Sequence, residues 1–155
     1  MNWKHTFQTV LVLAAAVVII ASISPHNVIP VPVPSAETGA RIIRLAGQDV
    51  RVSVVSTPEA RTKGLSGRTG LARGEGMLFI FNLDAKYGFW MKDMLFPIDI
   101  LWLSSEGRVV DMRESVSPAT YPAVFTPNLG ARYVLELFAG FASAHNVKIG
   151  DFVDL

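Results

Sequence analysis

The chain has 155 residues and a formal net charge of +1; 50% of its residues are apolar and 17% are charged. This length indicates one domain, and this composition excludes an intrinsically disordered chain. Lys4 and Glu37 are the charged residues before Arg41, so the chain from Arg41 onward has thirteen Lys and Arg residues and twelve Asp and Glu residues. Such a balance creates no extended positive field, so we expect no nucleic-acid partner. The chain has no cysteine, which excludes disulfide bonds and thiol chemistry.

The first predicted element is an apolar N-terminal helix within residues 1–24. Lys4 precedes a nearly unbroken apolar stretch from Phe7 to Ile23. At about 1.5 Å per residue, a helix of this length only just crosses a hydrocarbon layer of about 30 Å. The segment is therefore either an uncleaved anchor that contacts the membrane through residues 6–24, or a cleaved signal peptide. Because the positive charge precedes it, we expect the rest of the chain on the periplasmic or extracellular side, anchored or secreted.

A proline-rich spacer follows in residues 25–38, with prolines at positions 25, 30, 32 and 34. Prolines at this spacing favour an extended backbone of about 3.1 Å per residue. The globular domain is thus predicted to occupy residues 39–155.

The domain is predicted to begin with a β-hairpin and a short helix. Arg41 to Leu45 and Asp49 to Val55 are β-type runs joined at Gly47. The sequence Ser-Thr-Pro-Glu at positions 56–59 is typical of a helix start, and Gly64 should end the helix after two turns.

The remaining elements are mostly short strands. Met77 to Phe81 is apolar at every position, which suits a strand buried on both faces. A long loop is expected over residues 114–128, and one helical turn over residues 140–145. Further β-type segments are predicted at residues 89–91, 98–103, 108–112, 133–138 and 152–155. Seven or eight short strands predict a mainly β fold, a compact sandwich or barrel with one or two short helices.

Two carboxylates lie in strands that should be buried. Alternation places Asp99 on the face of Leu101 and Leu103, and Glu136 beside Val134 and Phe138. A buried carboxylate is costly without partners. The two side chains either hold loops through buried hydrogen bonds and ion pairs, or line a concave binding site. In the second case the candidate ligand-binding residues are Arg61, Arg68, Trp90, Lys92, Asp99 and Glu136.

No motif for catalysis or for metal binding is recognisable. Gly64-Leu65-Ser66-Gly67 lacks the second glycine of a nucleophile elbow, and the three histidines are too far apart for a zinc site. The glycines between positions 67 and 76 lack the strand-then-helix context of a phosphate-binding loop. We therefore predict no catalytic residue, no metal and no cofactor.

Several motifs resemble the domain-of-unknown-function 192 family over residues 41–155. The two most specific are Gly-Met-Leu-Phe at 76–79 and Phe-Trp-Met-Lys at 89–92. The others are Ala60-Arg61, Gly64-Leu65, Arg68, Pro97-Ile98-Asp99, Val134-Leu135-Glu136, Gly140 and Gly150-Asp151. The resemblance implies a compact β-sandwich of jelly-roll type with short helices, often behind an export leader. It implies no activity.

These observations lead to two functional hypotheses. The first is a non-catalytic binding or accessory module at the outer face of the membrane, with a small molecule or an envelope polymer as its ligand. The alternative is a hydrolase of an envelope polymer in which Asp99 and Glu136 act as an acid–base pair. The sequence does not indicate the oligomeric state.

Overall fold

The structure is a computed structural model that describes residues 39–155. The predicted leader and spacer, residues 1–38, lie outside the described residues. Within residues 39–155, no helix is long and apolar enough to cross a bilayer.

Nine strands and two short helices make up the described domain. In chain order they are β1 (Ala40–Leu45), β2 (Gln48–Val55), α1 (Pro58–Lys63), β3 (Glu75–Ala85), β4 (Phe89–Trp90), β5 (Ile98–Leu103), β6 (Val109–Val116), β7 (Val124–Phe125), β8 (Ala131–Phe138), α2 (Phe141–Ala144) and β9 (Val153–Asp154). A 3-10 helix, Pro118–Thr120, lies between β6 and β7.

The predicted hairpin and the first helix are confirmed. Strands β1 and β2 are antiparallel, and Ala46 and Gly47 between them have φ angles of 49° and 76°, as a two-residue hairpin turn requires. Helix α1 begins after Thr57, whose hydroxyl accepts a hydrogen bond from the N–H of Ala60. It ends at Gly64, which has a φ of 48°. Because β2 and β3 are parallel, α1 lies on the connection that crosses between them.

Seven strands form one sheet in the order β6-β5-β8-β3-β2-β1-β9, and β4 and β7 form a separate pair. The C-terminal segment contacts both edges of the large sheet. Strand β9 pairs with β1, while the N–H of Val153 donates to the carbonyl of Gly107, just before β6 (2.8 Å). The N–H of Val109 donates in turn to the carbonyl of Asp151 (2.9 Å). The sheet is therefore curled towards closure.

Each face of the curled sheet carries its own hydrophobic cluster. The inner cluster combines residues from both edges with α2, and its members include Ile43, Leu45, Val52, Leu78, Leu101, Leu103, Leu135, Leu137, Phe141 and Val153. The outer cluster lies on the other face, beneath residues 64–74 (the segment after α1) and residues 91–97 (the segment after β4). Its members include Leu65, Met77, Phe79, Met91, Met94, Ile98, Ile100, Trp102 and Val134. Strand β5 contributes to both clusters, which explains why all six of its residues are buried.

The predicted mainly β architecture with short helices is confirmed. Where the sequence predicted a sandwich or a barrel, the structure has one curled seven-stranded sheet with both faces covered. Strand β5 has the predicted bounds. The predicted long loop at 114–128 is only partly correct, because β6 continues to Val116 and the segment also contains the 3-10 helix and β7.

Candidate functional site

Glu136 is buried near the middle of the sheet. It lies on β8 directly opposite Met77 of β3 and Ile100 of β5, and both neighbours belong to the outer cluster. The residue is 5% exposed. Its Oε2 atom is fully buried and has no hydrogen-bond partner among residues 39–155. A buried polar atom without a partner costs about 1–3 kcal/mol, so its place in the fold needs an explanation.

Burial favours the protonated form of Glu136 at neutral pH. Burial in the apolar outer face raises the pKa of its carboxyl from 4.5 to about 8, although the positive charge of Arg68 acts in the opposite direction. Desolvation penalises the charged form of a carboxyl group, so the neutral acid is favoured here. The carboxyl is therefore a hydrogen-bond donor as well as an acceptor.

A cavity of about 430 Å³ opens next to Glu136. Apolar side chains from β3, β4 and the segments after α1 and β4 surround its deep end. The rings of Phe79 and Phe89 meet edge to face with centroids 4.9 Å apart, and Phe81 stacks on Tyr87 at 3.5 Å. The lining residues at the deep end are Leu65, Phe79, Phe89, Met94 and Glu136. The cavity thus joins an apolar chamber to a single buried acid, a combination typical of small-molecule sites.

Arg61 lies at the cavity and also holds α1 in place. Its Nη1 donates to the carbonyl of Ser56 and to that of Ile80 (2.9 Å). Its guanidinium lies 4.8 Å from the ring centroid of Phe81. Two backbone hydrogen bonds and a cation–π contact fix this side chain, so Arg61 provides a positive charge at a defined position.

A second cavity, of about 570 Å³, lies on the other side of the segment after α1. Arg68 lines this cavity and not the first. Lys63, the last residue of α1, and Gly64 and Ser66 of the segment after it line both cavities. The segment is attached to the β4 side by two hydrogen bonds, from Ser66 Oγ to the carbonyl of Lys92 and from the N–H of Gly67 to the carbonyl of Asp93 (both 2.9 Å).

Trp90 and Lys92 mark the rim of the first cavity. Trp90 lines it and is 50% exposed, with its ring centroid 6.0 Å from that of Tyr121. The Nζ of Lys92 lies 5.9 Å from the Trp90 ring. The side chain of Lys92 is exposed and lines neither cavity. The structure therefore brings together Arg61, Trp90 and Glu136, with Arg68 and Lys92 close by.

Asp99 does not reach this site. It lies on the inner face of β5, because β5 alternates and Ile98 and Ile100 face outward. The residue is 0% exposed, and its oxygens accept three backbone hydrogen bonds. The donors are the N–H groups of Ser115 (2.7 Å), Gly140 (3.0 Å) and Ala142 (2.8 Å). Asp99 thus connects β5 to the end of β6 and to the start of α2, and it shares no site with Glu136 on the opposite face.

A third buried carboxylate, Asp111, was missed by the sequence reasoning. It is 3% exposed and accepts hydrogen bonds from the N–H of Met112, from Asn128 and from Arg113. Burial raises the pKa of Asp111, but the hydrogen bonds from Asn128 and Arg113 outweigh it and hold the pKa below its ordinary value. The signal was present, since Asp111 interrupts the apolar run from Val109 to Met112.

No group of three or more metal-binding side chains is assembled within residues 39–155. Among these residues, the chemistry available at the first cavity is one buried acid, the fixed guanidinium of Arg61, the ammonium of Lys63 and several aromatic rings. These groups can hold a ligand by hydrogen bonds, charge and apolar contact.

Comparison with known proteins identifies the family. A family model, DUF192, described as an uncharacterised ACR, matches residues 41–155. The chain belongs to the domain-of-unknown-function 192 family. The resemblance found in the sequence is thereby confirmed, and the family description names no activity.

Solved structures of similar fold come from two bacteria. One is described as a candidate transcription regulator from Sinorhizobium meliloti 1021; it is 30% identical, with a TM-score of 0.71, and the match covers 76% of this chain and 94% of that one. Another is a protein of unknown function from Novosphingobium aromaticivorans DSM 12444; it is 26% identical, with a TM-score of 0.73, and the match covers 79% of this chain and 89% of that one. No curated protein matches this chain.

The motifs that resemble the family converge on the first cavity. Phe79 ends the Gly-Met-Leu-Phe motif, and Phe89 and Trp90 begin the Phe-Trp-Met-Lys motif. These three residues line the cavity, as do Arg61 and Glu136. The lining also includes Lys63, Phe81, Tyr87 and Met94, which the sequence did not single out. Tyr87 and Met94 lie outside the helices and strands, where periodicity gives no indication of side-chain direction.

Proposed function

We propose that this protein is an exported, non-catalytic binding module, and that its ligand occupies the cavity beside Glu136. The compartment follows from the apolar segment at residues 1–24 with Lys4 before it, and from the spacer at residues 25–38. The domain would then face the periplasm or the exterior. The jelly-roll description of the domain likewise stays a prediction.

The observation that carries the proposal is Glu136, which lines the cavity and whose buried Oε2 atom has no hydrogen-bond partner within residues 39–155. Asp99 is the comparison: it is a buried carboxylate with a structural role, and its oxygens accept hydrogen bonds from three backbone N–H groups. Glu136 has no such donors among the described residues, and a ligand in the cavity would supply its partner. The cost of leaving it unpaired is then recovered on binding.

The site favours binding over hydrolysis. An acid–base pair needs two carboxyl groups that face one substrate, and Asp99 and Glu136 face opposite sides of the sheet. The description of the Sinorhizobium protein as a transcription regulator finds no support here. With thirteen cationic and twelve anionic residues from Arg41 onward, the domain has no charge excess to attract a nucleic acid.

The test is a ligand screen by thermal shift on the full chain and on two variants. Thr62 is exposed and lines the first cavity, so Thr62→Trp places a bulky ring at its mouth. Thr69 is also exposed but lines neither cavity, so Thr69→Trp is the matched control. We expect compounds that stabilise the parent and the Thr69 variant but not the Thr62 variant. If every compound that binds does so equally in all three proteins, the ligand site lies elsewhere and the proposal is wrong.

A further inference from the structure

The charges around the two cavities are predominantly positive. Arg61 and Lys63 line the first cavity, and Lys63 and Arg68 line the second. The one acid that lines either cavity is Glu136, which is neutral at pH 7 because burial keeps its pKa at about 8. The potential inside this part of the domain is therefore positive, and it favours a negatively charged ligand.

The surroundings of Glu136 explain how one ligand group could satisfy it. The strands on either side place uncharged Met77 and Ile100 opposite it. Among residues 39–155, the other titratable groups that line the first cavity are Arg61 and Lys63 from α1 and Tyr87 from the segment before β4, and Arg68 lines the second cavity. The hydroxyl of Tyr87 donates to the carbonyl of Leu83 (2.7 Å). Oε2 of Glu136 has no hydrogen-bond partner within residues 39–155, so a proton on this atom lacks an acceptor.

We propose that the ligand is a small organic anion with an apolar body, and that an oxygen of its acidic group accepts a hydrogen bond from the Glu136 carboxyl. The apolar body lies against Phe79, Phe89 and Met94. Arg61, Lys63 and Arg68 stabilise the negative charge. This inference rests on the proposed function, and it adds the chemical class of the ligand.

A cationic ligand fits less well. It would need an ionised Glu136 in an apolar environment, and it would meet the like charges of Arg61 and Lys63. Among the aromatic rings, Phe81 is already contacted by the guanidinium of Arg61, and Trp90 lies near the ammonium of Lys92. These rings offer an external cation fewer free faces than an aromatic cage would.

The affinity for an anion should depend on pH. The anion binds the protonated form of Glu136, and a carboxylate there would repel it. With a pKa of about 8, affinity is nearly constant below neutrality and falls as the carboxyl ionises. At about pH 9 only one molecule in about ten carries the proton, so the apparent Kd rises about tenfold.

The experiment is calorimetric titration of the full chain with three probes that share one apolar body: hexanoate, hexanamide and hexylamine. At about pH 6.5 hexanoate is an anion and hexylamine a cation, and both keep these charges at about pH 9. We expect hexanoate to bind most tightly at the lower pH and about tenfold more weakly at the higher pH. Glu136→Gln, whose amide N–H still donates, should retain binding and abolish the pH dependence.

A charge variant and its control complete the design. Lys63→Gln with Arg68→Gln removes two positive charges from the cavities and should weaken hexanoate binding about fivefold. Arg41→Gln with Lys148→Gln removes two exposed charges from residues that line neither cavity and should change nothing.

Each contrary outcome has one meaning. If hexylamine or hexanamide binds and hexanoate does not, the cavity is a ligand site but the anion class is wrong. If hexanoate binds with the same affinity at both pH values, Glu136 does not donate to it, and the proposed contact is wrong. If none of the three probes binds, the anion proposal fails. If the Thr62→Trp screen also shows no cavity-dependent binding, the proposed function fails with it.

Discussion

Replacing Glu136 by glutamine should stabilise the protein in a pH-dependent way. Burial raises the pKa of Glu136 from 4.5 to about 8. Between these values the folded chain keeps a proton that the unfolded chain has released. The stability contributed by this carboxyl is therefore fully present below the unfolded pKa and is lost as the pH rises through the folded one. Glutamine has the same shape and no such proton.

The magnitude follows from the two pKa values. Each unit of difference corresponds to about 1.4 kcal/mol. Integrated between about pH 5 and about pH 7.5, the parent loses about 3 kcal/mol through this group. The difference in unfolding free energy between Glu136→Gln and the parent should grow by that amount over the same interval.

Urea unfolding at the two pH values measures this difference, with the fluorescence of the buried Trp102 and far-UV circular dichroism as signals. Glu114→Gln is the matched control, because Glu114 is exposed on β6 and the same chemical change there should leave the pH profile unaltered. If the Glu136→Gln difference is equal at both pH values, the carboxyl does not retain its proton in the folded chain. Glu136 would then be ionised in the folded chain at neutral pH and could not donate a hydrogen bond to an anion.

Three further substitutions test the structural roles of other residues by urea unfolding. Asp99→Asn should destabilise the protein by about 2 kcal/mol or more, because the NH2 group that replaces one carboxylate oxygen cannot accept a hydrogen bond from a backbone N–H. An unchanged stability would contradict the structural role of Asp99. Gly76→Ala should lower the free energy of unfolding by about 1–3 kcal/mol, because a Cβ there would lie 2.9 Å from the carbonyl oxygen of Glu136 and 3.0 Å from Cδ2 of Leu137. An unchanged free energy of unfolding would show that β3 and β8 can move apart. Asp111→Asn should destabilise the protein at neutral pH and less in acid. A carboxyl group with a lowered pKa stabilises the folded state above its unfolded pKa of 3.8, and this stabilisation is lost as the pH falls. A destabilisation that does not change with pH would contradict the lowered pKa.

The local elements were largely predictable from the sequence. The hairpin turn requires left-handed backbone at Gly47, and the limits of α1 follow from Thr57 before it and Gly64 after it. The run from Met77 to Phe81, apolar at every position, predicted a strand with both faces buried, and Met77, Leu78 and Phe79 are buried within β3. These features depend on neighbours in the chain, and local propensity reports them well.

The pairing of strands was beyond the reach of local reasoning. Strand β8 pairs with β3 and β5, which precede it by many residues, and no local pattern specifies such partners. The cavity depends on this pairing, because it is formed where the end of β3 and the turn before β4 meet α1. Phe81 of β3 stacks there on Tyr87, which lies between β3 and β4, where alternation predicts no side-chain direction.

Asp99 and Glu136 have the same sequence signature and different roles, and the reason lies in the elements that cover each face. Three N–H groups from irregular backbone, at the end of β6 and the start of α2, reach Asp99. Glu136 faces outward between two strands whose N–H groups are used in the ladder, and Phe79, Phe89 and Met94 line the space in front of it. A burial pattern identifies a costly carboxylate, but only the surrounding loops decide whether the chain itself supplies the partner. At Glu136 the described residues supply none to Oε2, and the residue lines a cavity that Arg61 and Lys63 also line.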